Sequence, residues 1–384
     1  MFWAAWALFV TALYAVACVL ASRRLPLEPP LWADAPPVSV IKPVRGLDPG
    51  AEANFRSFFR QRYPSAFELI FACESEDDPA VPLLRRLMEE HPEVPARLVL
   101  APPRPNLTGK MANVAAAYRH ARHPLLVISD SDMRVGPDFL HRLVSPLADD
   151  RVGLVGTLPV YIDADGLPAQ ALQVYAHLFS LCFGAVIADV QLPGKFAAGN
   201  QAMRRDLAEA LGGFESLGRF ITEDVQLSNA AREGGRRVVY AAMADVPVGR
   251  PNRREVVETL TRYLMGSRAM SLPLFAFTCL LNLGHWLTPA AGLALGRADL
   301  AALGLLPVAT RMAVAWHMHR RWAGPCRPAG KVLAALALDG MFLEAAVRVL
   351  LGRPVSWRGV RYRVDRAGRV HREDAMVGGE NAPV

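Results

Sequence analysis

The most constraining feature of this chain is a run without charge from Phe2 to Leu20, closed by Arg23 and Arg24. Its length suits one crossing of a bilayer, whose hydrocarbon core takes about 20 apolar residues. The basic residues follow the run instead of preceding it, and Val19-Leu20-Ala21 is only a loose small-residue cleavage pattern. Residues 1–24 therefore read as an uncleaved transmembrane anchor and not as a secretory signal. A net charge of +7 over 384 residues would also suit a nucleic-acid binder. The basic residues crowd the ends of apolar segments instead: Arg23 and Arg24, then Arg253, Arg254, Arg262 and Arg268, then Arg320, Arg321, Arg327 and Lys331. This positive-inside pattern predicts a multi-pass protein of the cell (inner) membrane, its soluble part cytoplasmic, with the bilayer and no nucleic acid as partner. The five cysteines show no paired spacing, as expected of a reducing compartment, and no zinc pattern. The Asn106-Leu107-Thr108 sequon would there stay unmodified.

Between the anchor and about residue 255 the pattern becomes that of an α/β domain, assigned to residues 36–255. Val38–Lys42, Leu69–Cys73, Ala96–Leu100 and Leu125–Ser129 are short apolar or β-branched runs that predict buried strands. Segments of helical period, Ala51–Phe59, Pro79–His91 and Lys110–Ala121, separate them. That alternation predicts a mainly parallel sheet covered on both faces, with ligands at the carboxyl ends of its strands. Gly153–Leu158, a helical Leu172–Val190, a helix opening at Glu223 and a strand over Arg237–Ala242 follow. Residues 256–270 read as an interfacial segment and 271–352 as membrane elements. Ser271–Leu295 and Leu300–Met318 form a hairpin around Gly296, Arg297 and Asp299. Val332–Leu351 carries Asp339, Glu344 and Arg348, charges that are costly at mid-bilayer. It reads as an interfacial or protein-facing helix that returns a basic cytoplasmic tail, 353–384.

The strongest local chemical signal is Leu126-Val127-Ile128-Ser129-Asp130-Ser131-Asp132, a strand running into two carboxylates. Mg²⁺ or Mn²⁺ takes one or two carboxylates together with phosphate oxygens, so this D-x-D suits a metal–diphosphate site; a capped turn uses the same residues. Glu76-Asp77-Asp78-Pro79 suits either a helix start or a nucleotide-binding carboxylate. Glu223-Asp224, after a potential N-cap at Thr222, suits a helix start or a general base. Gly109-Lys110-Met111-Ala112-Asn113 opens a helix where backbone N–H groups and a lysine can meet a diphosphate. Gly194–Arg205, with Gly199, Asn200 and Gln201, offers close backbone approach and hydroxyl partners, or is an ordinary loop.

The order of these pieces carries a resemblance. Val38-Ser39-Val40-Ile41-Lys42-Pro43-Val44-Arg45-Gly46-Leu47-Asp48-Pro49 comes first, then Glu76-Asp77-Asp78-Pro79-Ala80, Lys110-Met111-Ala112-Asn113, Asp130-Ser131-Asp132 and Ile221-Thr222-Glu223-Asp224. Val355-Ser356-Trp357-Arg358-Gly359-Val360-Arg361-Tyr362-Arg363 closes the series. The chain resembles the ceramide glucosyltransferases, glycosyltransferase family 21, and their bacterial relatives that glycosylate hopanoids. The resemblance implies a GT-A (Rossmann-like) fold, an inverting mechanism, a UDP-sugar donor and a membrane lipid acceptor, ceramide or a hopanoid. It places the family's signature aspartates on Asp78, Asp130 and Asp224, with Asp130 and Asp132 on the divalent metal and Asp224 as catalytic base. Lys42, Asp78, Lys110, Asn113, Asp130, Glu223 and Arg262 are then expected to bind the nucleotide sugar. The family's (R/Q)-x-x-R-W motif is incomplete here: Thr259 and Arg262-Tyr263 occupy it, or Arg262 leads and Met265-Gly266 take the pair. Glucose transfer to ceramide is the expected activity. N-acetylglucosamine transfer to a hopanoid polyol, a processive polysaccharide synthase and a catalytically silent membrane paralogue are the alternatives.

Overall fold

A computed structural model describes residues 1–104, 107–188, 190–191, 199–365 and 368–373. The chain divides into two compact units: one of Met1–Leu25, Val160–Val186 and Val248–Trp357, the other of Pro26–Pro159, Ile187–Pro247 and Arg358–Val384.

The second unit is built on a seven-stranded sheet of β1 (Val38–Pro43), β2 (Phe67–Cys73), β3 (Ala96–Leu100), β4 (Leu125–Ser129), β5 (Val152–Ala164), β6 (Asn200–Arg204) and β7 (Arg237–Gly249). Their order is β3-β2-β1-β4-β6-β5-β7. Strands β1 to β4 are parallel, with Ile41 opposite both Ile70 and Ile128. Strand β6 runs antiparallel to β4, setting Asn200 beside Ser129, and antiparallel to β5. The sheet is thus mixed. The central strands β1, β2 and β4 are buried nearly throughout and mostly apolar, because both faces of the sheet are covered and no solvated side is left to alternate toward. Ile41, Ile70, Ile128, Val114, Met203, Phe214 and Leu227 form the core on one face. Aromatic pairs fill the other: Phe59 stacks on Phe71, and Phe58 meets Phe139 edge-on. Strand order reverses direction between β1 and β4, and the crevice at such a switch point is where α/β sheets bind ligands.

The first unit is helical. Phe2–Arg24, Gly166–Val186 and Ala298–Trp322 are each long and apolar enough to cross a bilayer, which supports a multi-pass membrane topology. Two expectations are corrected here. Ser271–Leu295 is no single span: it breaks into helices Leu272–Leu283 and Leu287–Ala294 around a tight turn at Gly284–Trp286. The break answers to polar side chains, since His285 and Trp286 turn inward to the Asp339 carboxylate (3.1 and 2.8 Å) and the Gly284 carbonyl accepts from Trp6 Nε1. The hairpin turn itself stands, with Arg297 paired to Asp299 at 2.6 Å. The segment Leu172–Val190 belongs to an earlier and longer helix, Gly166–Val186, whose middle, Ala176–Phe183, widens into π-turns. No charge interrupts Gly166–Ala188, a signal the sequence offers plainly.

Pro328–Leu350 is one continuous helix whose charges all have partners. Asp339 pairs with Arg311 at 3.0 Å, and Glu344 with Arg253 and Arg348 at 2.5 and 2.8 Å. Burial against protein, not exposure to lipid, is what makes Asp339 tolerable.

Candidate active site

Each expected site residue of the sheet unit sits where a parallel strand gives way to a loop or where a helix begins. Strand β4 delivers Asp130 to the carboxyl edge of the sheet. The Asp130 backbone N–H donates to the Gly199 carbonyl at 2.8 Å, which anchors the start of the D-x-D turn. Gly199 has φ 73°, which favours glycine, and a Cβ there would also press on Met133 Cε at 2.5 Å. Gly194, expected beside it, lies outside the described residues, as does Asn106 of the sequon.

Lys110, in the first turn of helix Gly109–Tyr118, binds Asp130 Oδ1 at 2.6 Å and Glu223 Oε1 at 2.8 Å. Burial opposes its charge, but the two carboxylates outweigh this and raise its pKa. One ammonium thus draws together the D-x-D turn and the start of helix Glu223–Glu233, residues far apart in the chain. Thr222 precedes that helix without making the expected side-chain cap; the Val225 N–H donates instead to Asp224 Oδ1 at 2.9 Å. Burial and the neighbouring Glu223 carboxylate push the Asp224 carboxyl up to about 7, with Lys110 opposing. A carboxylate of that pKa is a far stronger base than an exposed one and still ionised in half its copies at neutrality. A small pocket next to it is lined by Lys110, Met111, Ile128, Gln201, Glu223 and Leu227.

Asp132 is held differently. Burial, Asp130 and Asp48 raise its pKa to about 7, against Arg358 and Lys110, and its buried Oδ1 has no hydrogen-bond partner. An orphaned carboxylate oxygen beside a second carboxylate is what a divalent cation would satisfy, so Asp130 and Asp132 fit one. Among the described residues no third His, Cys, Asp or Glu joins them in a ligand cluster. That donor set suits Mg²⁺ or Mn²⁺ completed by diphosphate oxygens, and suits zinc poorly.

The loop after β1 organises the rest, a role its sequence did not disclose. The Gly46 N–H donates to both oxygens of Asp78 (3.0 and 2.9 Å), and Asp78 Oδ1 also accepts from the Ala80 N–H. Asp78 therefore ties the turn that leads into the helix Val81–Glu90 to this loop. Asn113 is buried, donating from Nδ2 to the Val44 carbonyl at 3.1 Å. Lys42 is fully buried between Ser129 Oγ and the Asp130 carbonyl, both at 2.9 Å, with its ammonium 3.7 Å from the Phe58 ring centre. Burial lowers its pKa to about 7, against the pull of Asp130 and Asp132. These bonds set Lys42 beneath the Asp130 turn and Asn113 against the loop after β1. Asp48 and Ser131 are the site residues that sequence reasoning missed, joined at 2.5 Å. Arg262 belongs to the other unit, on helix Arg253–Met270, its guanidinium 5.7 Å from the Tyr263 ring centre.

A mixed sheet with a D-x-D at the end of β4 and a lysine-bridged acidic helix start defines a GT-A-like glycosyltransferase. The fold likeness extends to the mannosyltransferase PcManGT from Pyrobaculum calidifontis, solved with GDP-Man and Mn²⁺, at a TM-score of 0.53 and 22% identity over 91% of this chain and 99% of that one. The model of glycosyl transferase family 21 matches residues 3–370, and the chain belongs to that family. It is 31% identical over 207 residues to ceramide glucosyltransferase 1 of Caenorhabditis elegans, covering 52% of this chain and 43% of that protein. It is 32% identical over 158 residues to the ceramide glucosyltransferase of Gibberella zeae, covering 36% and 29%. The matches thus span less than half the length of these curated relatives.

Proposed function

We propose that the protein is an inverting transferase that moves a sugar, glucose in the first instance, from a UDP-sugar to the primary hydroxyl of a membrane lipid, with ceramide as the preferred acceptor. The observation that carries this reading is the Lys110 bridge between Asp130 and Glu223, which sets the D-x-D turn against the start of the helix that holds Asp224. The ceramide glucosyltransferases among the relatives support the donor and acceptor, and the three membrane-length helices support a lipid substrate.

Asp130 and Asp132 would hold a divalent cation, which when bound supplies positive charge to the donor diphosphate. Lys110, with its charge held by two carboxylates, adds a cation at the same edge. Asp78, Glu223 and Arg262 are proposed to bind the nucleotide sugar. Asp224 accepts the proton of the acceptor hydroxyl as its oxygen bonds to the anomeric carbon. The bond from that carbon to the UDP oxygen breaks on the opposite face, so configuration inverts and UDP leaves with the bonding pair. The soluble unit is proposed to lie on the cytoplasmic side.

The test is UDP release by the purified protein from a panel of UDP-sugars, with and without ceramide, diacylglycerol or a hopanoid. Release from UDP-glucose stimulated by ceramide is expected. Stimulation by a hopanoid with UDP-N-acetylglucosamine would replace the substrate pair, a growing polymer would make it a polysaccharide synthase, and silence throughout would overturn the enzymatic reading.

A further inference from the structure

Asp48 lies outside the carboxylates assigned above, yet both of its oxygens are committed. Oδ2 accepts from Ser131 Oγ at 2.5 Å and Oδ1 accepts from Arg358 Nη2 at 2.6 Å. Ser131 is the middle residue of Asp130-Ser131-Asp132 and is 6% exposed. In so short a turn, fixing the middle side chain fixes the peptide units that aim the residues on either side. The Asp48 side chain is 9% exposed, so its charge is shielded from water and depends on the guanidinium beside it. Arg358 itself has φ 51° and Gly359 φ 78°. A two-residue turn with both residues left-handed is normally Asn-Gly or Asp-Gly. Strain of this kind persists where the surroundings over-determine it and clusters at functional sites. Here it carries a guanidinium across 310 positions of sequence to the loop after β1.

We propose that Asp48 and Arg358 are a positioning pair for the D-x-D turn: Asp48 holds Ser131, Arg358 holds Asp48, and Asp130 and Asp132 are thereby aimed at the divalent cation, an inference that rests on the metal–UDP reading above. In this proposal Asp48 acts as a support, engaged on one oxygen by Ser131 and on the other by Arg358. Lys42–Pro49 and Ser356–Tyr362, which lie in the first and last pieces of the resemblance, then serve one purpose, since each supplies one member of the pair.

The test is a titration of the full-length protein in detergent with Mn²⁺ in the presence of UDP, reading free Mn²⁺ by electron paramagnetic resonance. Saturable binding by the unaltered protein is the premise, and its absence overturns the metal–UDP reading and this inference with it. Given binding, Asp48→Asn is expected to weaken Mn²⁺ about tenfold or more, the usual cost of losing a group that orients a metal ligand. Arg358→Gln is expected to weaken it severalfold and Arg358→Lys less. The double variant is expected to bind no more weakly than Asp48→Asn alone. An Mn²⁺ affinity for Asp48→Asn within about twofold of the unaltered protein, or additive losses in the double variant, overturns the pair. Should Asp48→Asn fail to fold, Ser131→Ala removes only the hydroxyl and decides the matter: severalfold weaker binding supports the pair, unchanged binding overturns it.

Discussion

At the scale of single residues, the proposed chemistry rests on Asp224. General-base catalysis contributes about 10²–10⁴-fold, so Asp224→Asn is expected to lower kcat by that range while leaving Mn²⁺·UDP binding within a few-fold. Steady-state turnover beside equilibrium binding separates the two effects. The raised pKa also fixes a pH profile: kcat/KM is expected to fall tenfold per unit below about pH 7, as the base becomes protonated. For stability the sign is opposite. Between 3.8 and about 7 the folded chain holds a proton on Asp224 that the unfolded chain has released, so this group's contribution to stability falls as pH rises through that window. Asp224→Asn removes that loss, and its thermal midpoint is expected to exceed that of the unaltered protein at pH 8 and to match it near pH 4. The places of Asp130, Asp132 and Asp224 at a strand end or a helix start were legible in the sequence, whereas the roles proposed for them came from the family resemblance. Asp48 was not legible, because a loop aspartate followed by proline looks the same whether it caps a turn or grips a distant serine. Nor were the partners of Lys42: the run Val38–Lys42 predicts a buried strand but not the bonds from its ammonium to Ser129 and the Asp130 carbonyl.

At the scale of elements, the D-x-D turn depends on its neighbour strand. Gly199→Ala forces a methyl into the left-handed region and against Met133, a combined cost of about 1–3 kcal/mol. Part of that cost is expected to appear as displacement of Asp130, whose N–H bonds the Gly199 carbonyl. Activity should therefore fall more than stability does, with a higher Mn²⁺ requirement, in paired assays of turnover and thermal unfolding. The parallel strands β1 to β4 were legible almost to the residue, because short β-branched runs alternate with helical periods. The break at Gly284–Trp286 was not, since hydropathy alone cannot register that His285 and Trp286 turn toward Asp339 on another helix. The helix Gly166–Val186 illustrates the converse. It is apolar enough to cross a bilayer, yet 72% of it is buried within the protein, and composition does not distinguish a lipid-facing helix from a buried one.

At the scale of the whole molecule, the helical unit contains a buried charge pair. Arg311 is fully buried and Asp339 is 7% exposed. Removing one member of such a pair strands the other, so Asp339→Leu is expected to cost about 3–5 kcal/mol and to lower the thermal midpoint in detergent. Arg311→Met combined with Asp339→Leu should recover much of that loss, because an apolar pair of similar volume leaves no buried charge. The sequence marked Asp339 as too costly for open lipid but did not name its partner. Arg311 stands on a different helix, and the fold brings the two together.

The most direct measurement is the anomeric configuration of the product. Purified full-length protein would be given α-linked UDP-glucose, Mn²⁺ and ceramide, and the lipid product analysed by nuclear magnetic resonance beside that of Asp224→Asn. A β-linked glucosyl lipid from the unaltered protein, and none above background from Asp224→Asn, is the expected result. An α-linked product, or undiminished β-linked product from Asp224→Asn, would contradict the role given to that carboxylate.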